Sequence, residues 1–93
     1  MNLEGCAVVV TGASSGIGAA VAIDIGRRGA IVGLLARRLD RLEAVAHQID
    51  DAGGTAHILH VDVRDSAALT RALDDFAKLC GRLDGLVNNA GHG

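Results

Sequence analysis

Gly12, Ser14, Ser15, Gly16 and Gly18 fall within seven consecutive residues of the stretch VVVTGASSGIGAAVA, between a valine-rich run and an alanine-rich one. The first amides of a helix are unpaired and carry roughly half a positive charge, so a bare turn placed there can hold a diphosphate on backbone alone. Small hydroxyls at Ser14 and Ser15 can donate to phosphate oxygens without crowding them, or simply turn the chain. The spacing reads G-x-x-x-G-x-G, which is neither the G-x-G-x-x-G dinucleotide fingerprint nor the G-x-x-x-x-G-K-[ST] phosphate loop. No lysine follows Gly18, and that excludes a Walker-type nucleotidase.

Such a turn works only if a strand delivers it and a helix receives it. CAVVVT, residues 6–11, is a short continuous apolar run of the kind a strand covered on both faces shows. After the turn, Ile17, Val21 and Ile25 recur at four-residue spacing with Ala20 beside them, predicting a helix whose apolar stripe they form. It ends near Arg28, where Gly29 can take a left-handed cap. AIVGLLA (30–36) predicts a second strand; Leu39, Leu42, Val45, Ala46 and Ile49 stripe a second helix that stops at Gly53 and Gly54; AHILHVDV (56–63) predicts a third strand. Asp65 is the expected N-cap of a third helix with Leu69, Leu73, Phe76 and Cys80 on one face, and DGLVNN (84–89) supplies a fourth strand. Strands alternating with helices predict an α/β fold with a doubly wound parallel sheet, Rossmann-like, in the order 3-2-1-4. Its ligand crevice is expected at the carboxyl ends of strands 1 and 4.

Ninety-three residues make one small domain at most, and chains near this size remove roughly 60 to 70% of their unfolded surface from water. With 49% hydrophobic residues and a net charge of −2, the chain reads as a soluble globular one without the basic surface of a nucleic-acid binder. No apolar run approaches the ~20 residues that span a bilayer, and no secretory signal opens the chain, so no membrane partner and a cytoplasmic location are expected. Cys6 and Cys80 lack C-x-x-C spacing and read as reduced, mostly buried thiols.

TGASSGIG at 11–18, ARR at 36–38, DV at 62–63 and NNAG at 88–91 together resemble the amino-terminal part of the short-chain dehydrogenase/reductases, in their ordinary non-extended branch. The resemblance covers essentially the whole chain. It implies a diphosphate loop of Gly12, Gly16 and Gly18, with Ser14, Ser15 and the backbone of Ile17 contacting phosphate or ribose. It implies that Thr11 braces this loop against the strand carrying NNAG, and that Asp62 and Val63 line an adenine pocket. Asn89, Ala90 and Gly91 would run beside the nicotinamide ribose, and Asn88 would partner sheet backbone. Dinucleotide folds that use NAD usually end the second strand in an acid, whereas arginine suits a 2′-phosphate. That position is Ala36, followed by Arg37 and Arg38, so the expected cofactor is NADP(H). Arg37 is the first choice for the phosphate contact; Arg38 either adds to it or is a solvated helix-start residue.

The family's chemistry moves a hydride between nicotinamide and a carbonyl or alcohol, using a tyrosine and lysine in Y-x-x-x-K. This sequence has no tyrosine. Residues 1–93 are therefore expected to be the NADP(H)-binding half of a single Rossmann-fold domain, truncated before the catalytic segment and inactive alone. The complete protein would be a homo-oligomer acting on a small-molecule substrate. The alternative is a non-catalytic half-domain, serving as an NADP(H) sensor or an assembly module. Among smaller features, His57 and His60 point to opposite faces of a strand and read as packed or solvated imidazoles rather than metal ligands. His47 has no evident partner, and His92 follows NNAG near the expected nicotinamide. Asp24 is expected to pair with Arg27 or Arg28, and Gly26 to permit close helix packing.

Overall fold

The computed structural model describes residues 2–14 and 16–89. Seven elements alternate along them: β1 (Ala7–Thr11), α1 (Gly16–Arg27), β2 (Ile31–Ala36), α2 (Leu39–Asp51), β3 (Thr55–His60), α3 (Ser66–Cys80) and β4 (Gly85–Asn88). All neighbouring strands are parallel, in the order β3-β2-β1-β4, as the alternation of elements predicts. The strands are shorter than the apolar runs suggest. Cys6 precedes β1 and Ala30 precedes β2, and β3 stops at His60, so Val61, Asp62 and Val63 leave the ladder at the sheet's carboxyl edge.

Side-chain alternation along the strands sorts the core into two faces. Val10, Val32, Leu34 and Ala36 pack with Ala22 of α1 and Leu42, Val45 and Ile49 of α2 on one side. Ala7, Val9 and Leu35 pack with Phe76 of α3 on the other, with Leu69, Leu73 and Cys80 against them, which is the face expected of α3. The Asp65 carboxylate accepts from the Ala68 amide at 3.1 Å and caps α3 as anticipated. Cys6 and Cys80 are half-buried rather than mostly buried.

The stripe expected on α1 is displaced by one residue. Ile17 is 73% exposed, and the fully buried positions are Gly18, Ala22 and Gly26. Ala20 is exposed, Val21 is half-buried, and Ile25 packs on the core together with Ala19 and Ile23. The physical reason is proximity. A Cβ on Gly26 would lie 2.8 Å from Ile49 Cγ2, so α1 approaches α2 too closely for a larger side chain on that face. In α2, Leu42, Val45 and Ile49 are buried as expected, while Leu39 at the first turn is 41% exposed. Gly29 takes φ +101° after α1, and Asp24 bonds both arginines of that turn, Arg27 at 2.8 Å and Arg28 at 3.0 Å.

Asp84 fixes the start of β4 to the start of β1. Its amide donates to the Ala7 carbonyl at 2.8 Å, and its carboxylate accepts from the Ala7 amide and from Arg82, each at 2.7 Å. The Arg82 bonds, then the Ala7 amide, hold the Asp84 carboxyl below its ordinary pKa.

Candidate functional site at the carboxyl edge of the sheet

Parallel pairing brings the carboxyl ends of all four strands to one edge. Thr11 lies opposite Leu35 of β2 and Asn88 of β4, and Ala36 lies opposite His60 of β3. The residues that follow these strands, Gly12, Arg37, Val61 with Asp62, and Asn89, therefore leave the sheet at the same edge.

The β1–α1 turn is braced from β4. Thr11 is buried, and its hydroxyl donates to Asn88 Oδ1 at 3.1 Å and lies 3.3 Å from the Val87 carbonyl, two acceptors sharing one hydrogen. The same oxygen accepts from the Asn89 amide at 2.9 Å. Asn88 meets β1 through the Thr11 side chain. Asn89 Nδ2 donates to the Gly12 carbonyl at 3.4 Å, and the Ala13 amide donates to the Leu35 carbonyl at 3.3 Å, so the turn is tied to both neighbouring strands.

The three glycines of the turn do three different things. Gly12 takes φ +63°, a left-handed conformation that side chains disfavour. Gly18 sits where a Cβ would collide with the Gly12 carbonyl oxygen and stand 2.6 Å from Asn89 Nδ2, so it lets the helix close onto the strand. Gly16 opens α1, is exposed, and among the described residues has nothing within 4 Å of the Cβ position it leaves empty. No acidic residue occupies the first turn of α1, so no carboxylate there opposes the positive end of the helix dipole. Ser14 is half-buried beside this opening, and the side chain of Ile17 is exposed. Ser15, Ala90, Gly91 and His92 lie outside the described residues.

Across the edge, Arg37 and Arg38 are exposed. A nitrogen of the Arg37 guanidinium stands 3.8 Å from Asp62 Oδ2. Arg38 is the N-cap residue of α2, with extended backbone and no side-chain capping bond. Asp62 is more engaged than its expected place in an adenine pocket implies. Its Oδ1 accepts from the Arg64 amide at 2.9 Å, and its Oδ2 accepts from the Arg64 guanidinium at 2.8 Å. These bonds, with smaller help from Arg37, hold the Asp62 carboxyl down to about 2. Val63 is half-buried next to it and packs against the core on the α3 side.

Arg64 and His60 also belong to this edge, although neither stands out in the sequence as a site residue. The D-x-R spacing of Asp62 and Arg64 is a readable signal, because an Asp commonly accepts from the backbone two residues on. For His60 no local signal exists. Its Nε2 lies 2.7 Å from the Arg37 carbonyl, a contact made across 23 residues by the β2–β3 register. His57 faces the other way, edge-on to Phe76 with ring centroids 6.0 Å apart, which fits the packed reading. Among the described residues no group of His, Cys, Asp and Glu could hold a metal ion, and no helix is long and apolar enough to cross a membrane.

Comparison with known proteins adds three likenesses to a family match. Residues 6–93 match the family model described as short chain dehydrogenase. A fatty acyl-CoA reductase of Mycobacterium tuberculosis is 45% identical over 91 residues, covering 98% of this chain and 31% of that protein. The crystal structure of a metagenomic short-chain oxidoreductase in complex with NADP superposes with a TM-score of 0.92 at 46% identity, covering 97% of this chain and 41% of that one. A 7α-hydroxysteroid dehydrogenase complexed with NADH and 7-oxo-glycochenodeoxycholic acid also reaches a TM-score of 0.92, at 33% identity, covering 98% of this chain and 36% of that one. This chain spans between 31% and 41% of the length of each.

Proposed function

The chain belongs to the short chain dehydrogenase family, and from that premise we propose that residues 1–93 are the NADP(H)-binding half of a Rossmann-type domain in an oxidoreductase acting on a small carbonyl compound or alcohol. When bound, the nicotinamide supplies or accepts the hydride. The residues of this chain bind and orient. The observation that carries the reading is the opening at Gly16: a helix start with no acidic residue in its first turn and, among the described residues, nothing within 4 Å of the position a Cβ would take.

In this reading the α1 amides take the diphosphate, with Ser14 and Ser15 donating from the turn. Gly12 and Gly18 keep the turn shut against β1 and β4, and Asn89, Ala90 and Gly91 border the nicotinamide ribose. Asp62 and Val63 border the adenine, with the remaining acceptor capacity of Asp62 turned to its amine. The choice between the two nicotinamide cofactors falls to Arg37. Ala36 offers no carboxylate to accept from a 2′-hydroxyl or repel a 2′-phosphate, and the Arg37 guanidinium stands at the strand end with a charge to give. The 46% identical oxidoreductase is a complex with NADP, which supports this choice; the dehydrogenase complexed with NADH is the more distant in sequence.

Calorimetric titration of the whole protein with NADPH and NADH tests the reading. One charged hydrogen bond to the phosphate predicts a preference for NADPH of roughly ten- to hundredfold. Equal affinities defeat the cofactor assignment, and no binding of either defeats the site.

A further inference from the structure

We infer that His60 is a positioning residue that sets Arg37 for a 2′-phosphate; the inference rests on the NADP(H) reading above. The Arg37 carbonyl has no hydrogen to give, so at 2.7 Å the His60 imidazole must be the donor and Nε2 must carry the hydrogen. The contact lies just past the last rung of the ladder. Ala36 and His60 are the final pair between β2 and β3, so the Arg37 carbonyl belongs to the first residue after β2. The imidazole stands in for the strand partner that β3 no longer provides.

What this bond holds is the carbonyl at the entry to α2. Arg38 follows at φ −96° and ψ 93°, the N-cap of α2, and makes no side-chain capping bond. The peptide between Arg37 and Arg38 is therefore oriented from outside its own segment, by a side chain 23 residues away. Without that bond the residues after β2 are free to shift relative to β3, and the Arg37 Cα from which the side chain reaches out shifts with them. Its guanidinium stands 3.8 Å from Asp62, two residues beyond His60, so β3 and its continuation border both ends of Arg37: His60 fixes the carbonyl, and Asp62 attracts the charge loosely.

The test uses the whole protein with His60→Leu, His60→Gln and Arg37→Ala, each titrated with NADPH and NADH. His60→Leu should lower the NADPH-over-NADH affinity ratio roughly fivefold, the effect of one neutral hydrogen bond, with NADH affinity unchanged. His60→Gln, whose amide nitrogen reaches where Nε2 stood, should restore most of the ratio. A ratio unmoved by His60→Leu while Arg37→Ala lowers it overturns the positioning role, as does equal loss from the Leu and Gln variants. If Arg37→Ala leaves the ratio unmoved, the phosphate contact is elsewhere and both statements fall. Independently of any cofactor, nitrogen-15 spectra of the free protein should show His60 protonated at Nε2. A neutral ring protonated at Nδ1 instead would contradict the bond itself.

Discussion

Arg37 and Asp62 meet across the carboxyl edge of the sheet at 3.8 Å, yet Asp62 already accepts from the Arg64 side chain at 2.8 Å. The two arginines are not equivalent partners. Arg64 holds the carboxylate through both its backbone and its guanidinium, whereas Arg37 stands at the outer limit of an ion pair with most of its side chain in water. A loosely attracted guanidinium is one that a doubly charged phosphate can recruit at small cost. Arg37→Ala should therefore weaken NADPH binding roughly ten- to hundredfold and leave NADH within about twofold, measured by titration. Equal losses for the two cofactors would place Arg37 outside the phosphate site.

Ala36→Asp supplies the carboxylate that this strand end lacks. Beside a ribose it would accept from a 2′-hydroxyl and repel a 2′-phosphate, so the affinity ratio should move toward NADH by about tenfold or more. A ratio that stays put would mean that the end of β2 does not face the ribose.

Gly16 and Gly18 separate binding from folding. A methyl on Gly18 meets backbone at Gly12, which cannot give way, so Gly18→Ala should cost roughly 1–3 kcal/mol of stability by overpacking. A methyl on Gly16 meets nothing among the described residues, so Gly16→Ala should leave unfolding within about 0.5 kcal/mol. It should nevertheless weaken dinucleotide binding roughly tenfold by filling the approach to the α1 amides. Denaturant melts and titrations on the same two variants read both quantities. Gly16→Ala binding like the wild type would empty the proposed diphosphate site of its main support.

Gly26→Ala sets two opposite effects against each other. Alanine gains about 1 kcal/mol of helix propensity. The new methyl would lie 2.8 Å from Ile49 Cγ2, and Ile49 is fully buried and shared with Gly54 at the α2–β3 turn. Overpacking of a closed core costs about 1–3 kcal/mol, so the net should be a loss of about 1 kcal/mol, seen as a lower urea midpoint. Stabilisation instead would show that α1 and α2 can separate.

The pattern of apolar runs and glycine punctuation carried the α3 face and its Asp65 cap, because each depends on neighbours in sequence, and the alternation of strands and helices carried the strand order through the winding rule. The phase of α1 did not come through. Isoleucine and valine dominate any apolar count, but the face that packs is Gly18, Ala22 and Gly26, chosen for closeness rather than for bulk. His60 and Arg64 show the other kind of miss. Their roles follow from which strand ends lie side by side and where β3 stops, and the ladder register settles both. Thr11 was legible only through the family resemblance, and its bonds to β4 supply the physical reason.

Acid should expose the order of Asp62's partners. Its carboxyl is held down to about 2 from an ordinary 3.8, first by the Arg64 side chain, then by the Arg64 amide, and least by the charge of Arg37. A carboxyl depressed in the folded state contributes stability above its unfolded pKa and loses it as protons bind, so this contribution is complete above about pH 4 and disappears as pH falls toward 2. Carbon-13 titration of the side-chain carboxyl should give an Asp62 midpoint near 2 in the wild type. Arg64→Ala should raise that midpoint most of the way to 3.8, and Arg37→Ala should raise it only slightly. The reverse order would make Arg37 the firmly held arginine, with its charge already spent on Asp62, and a 2′-phosphate would then have to break that pair to bind.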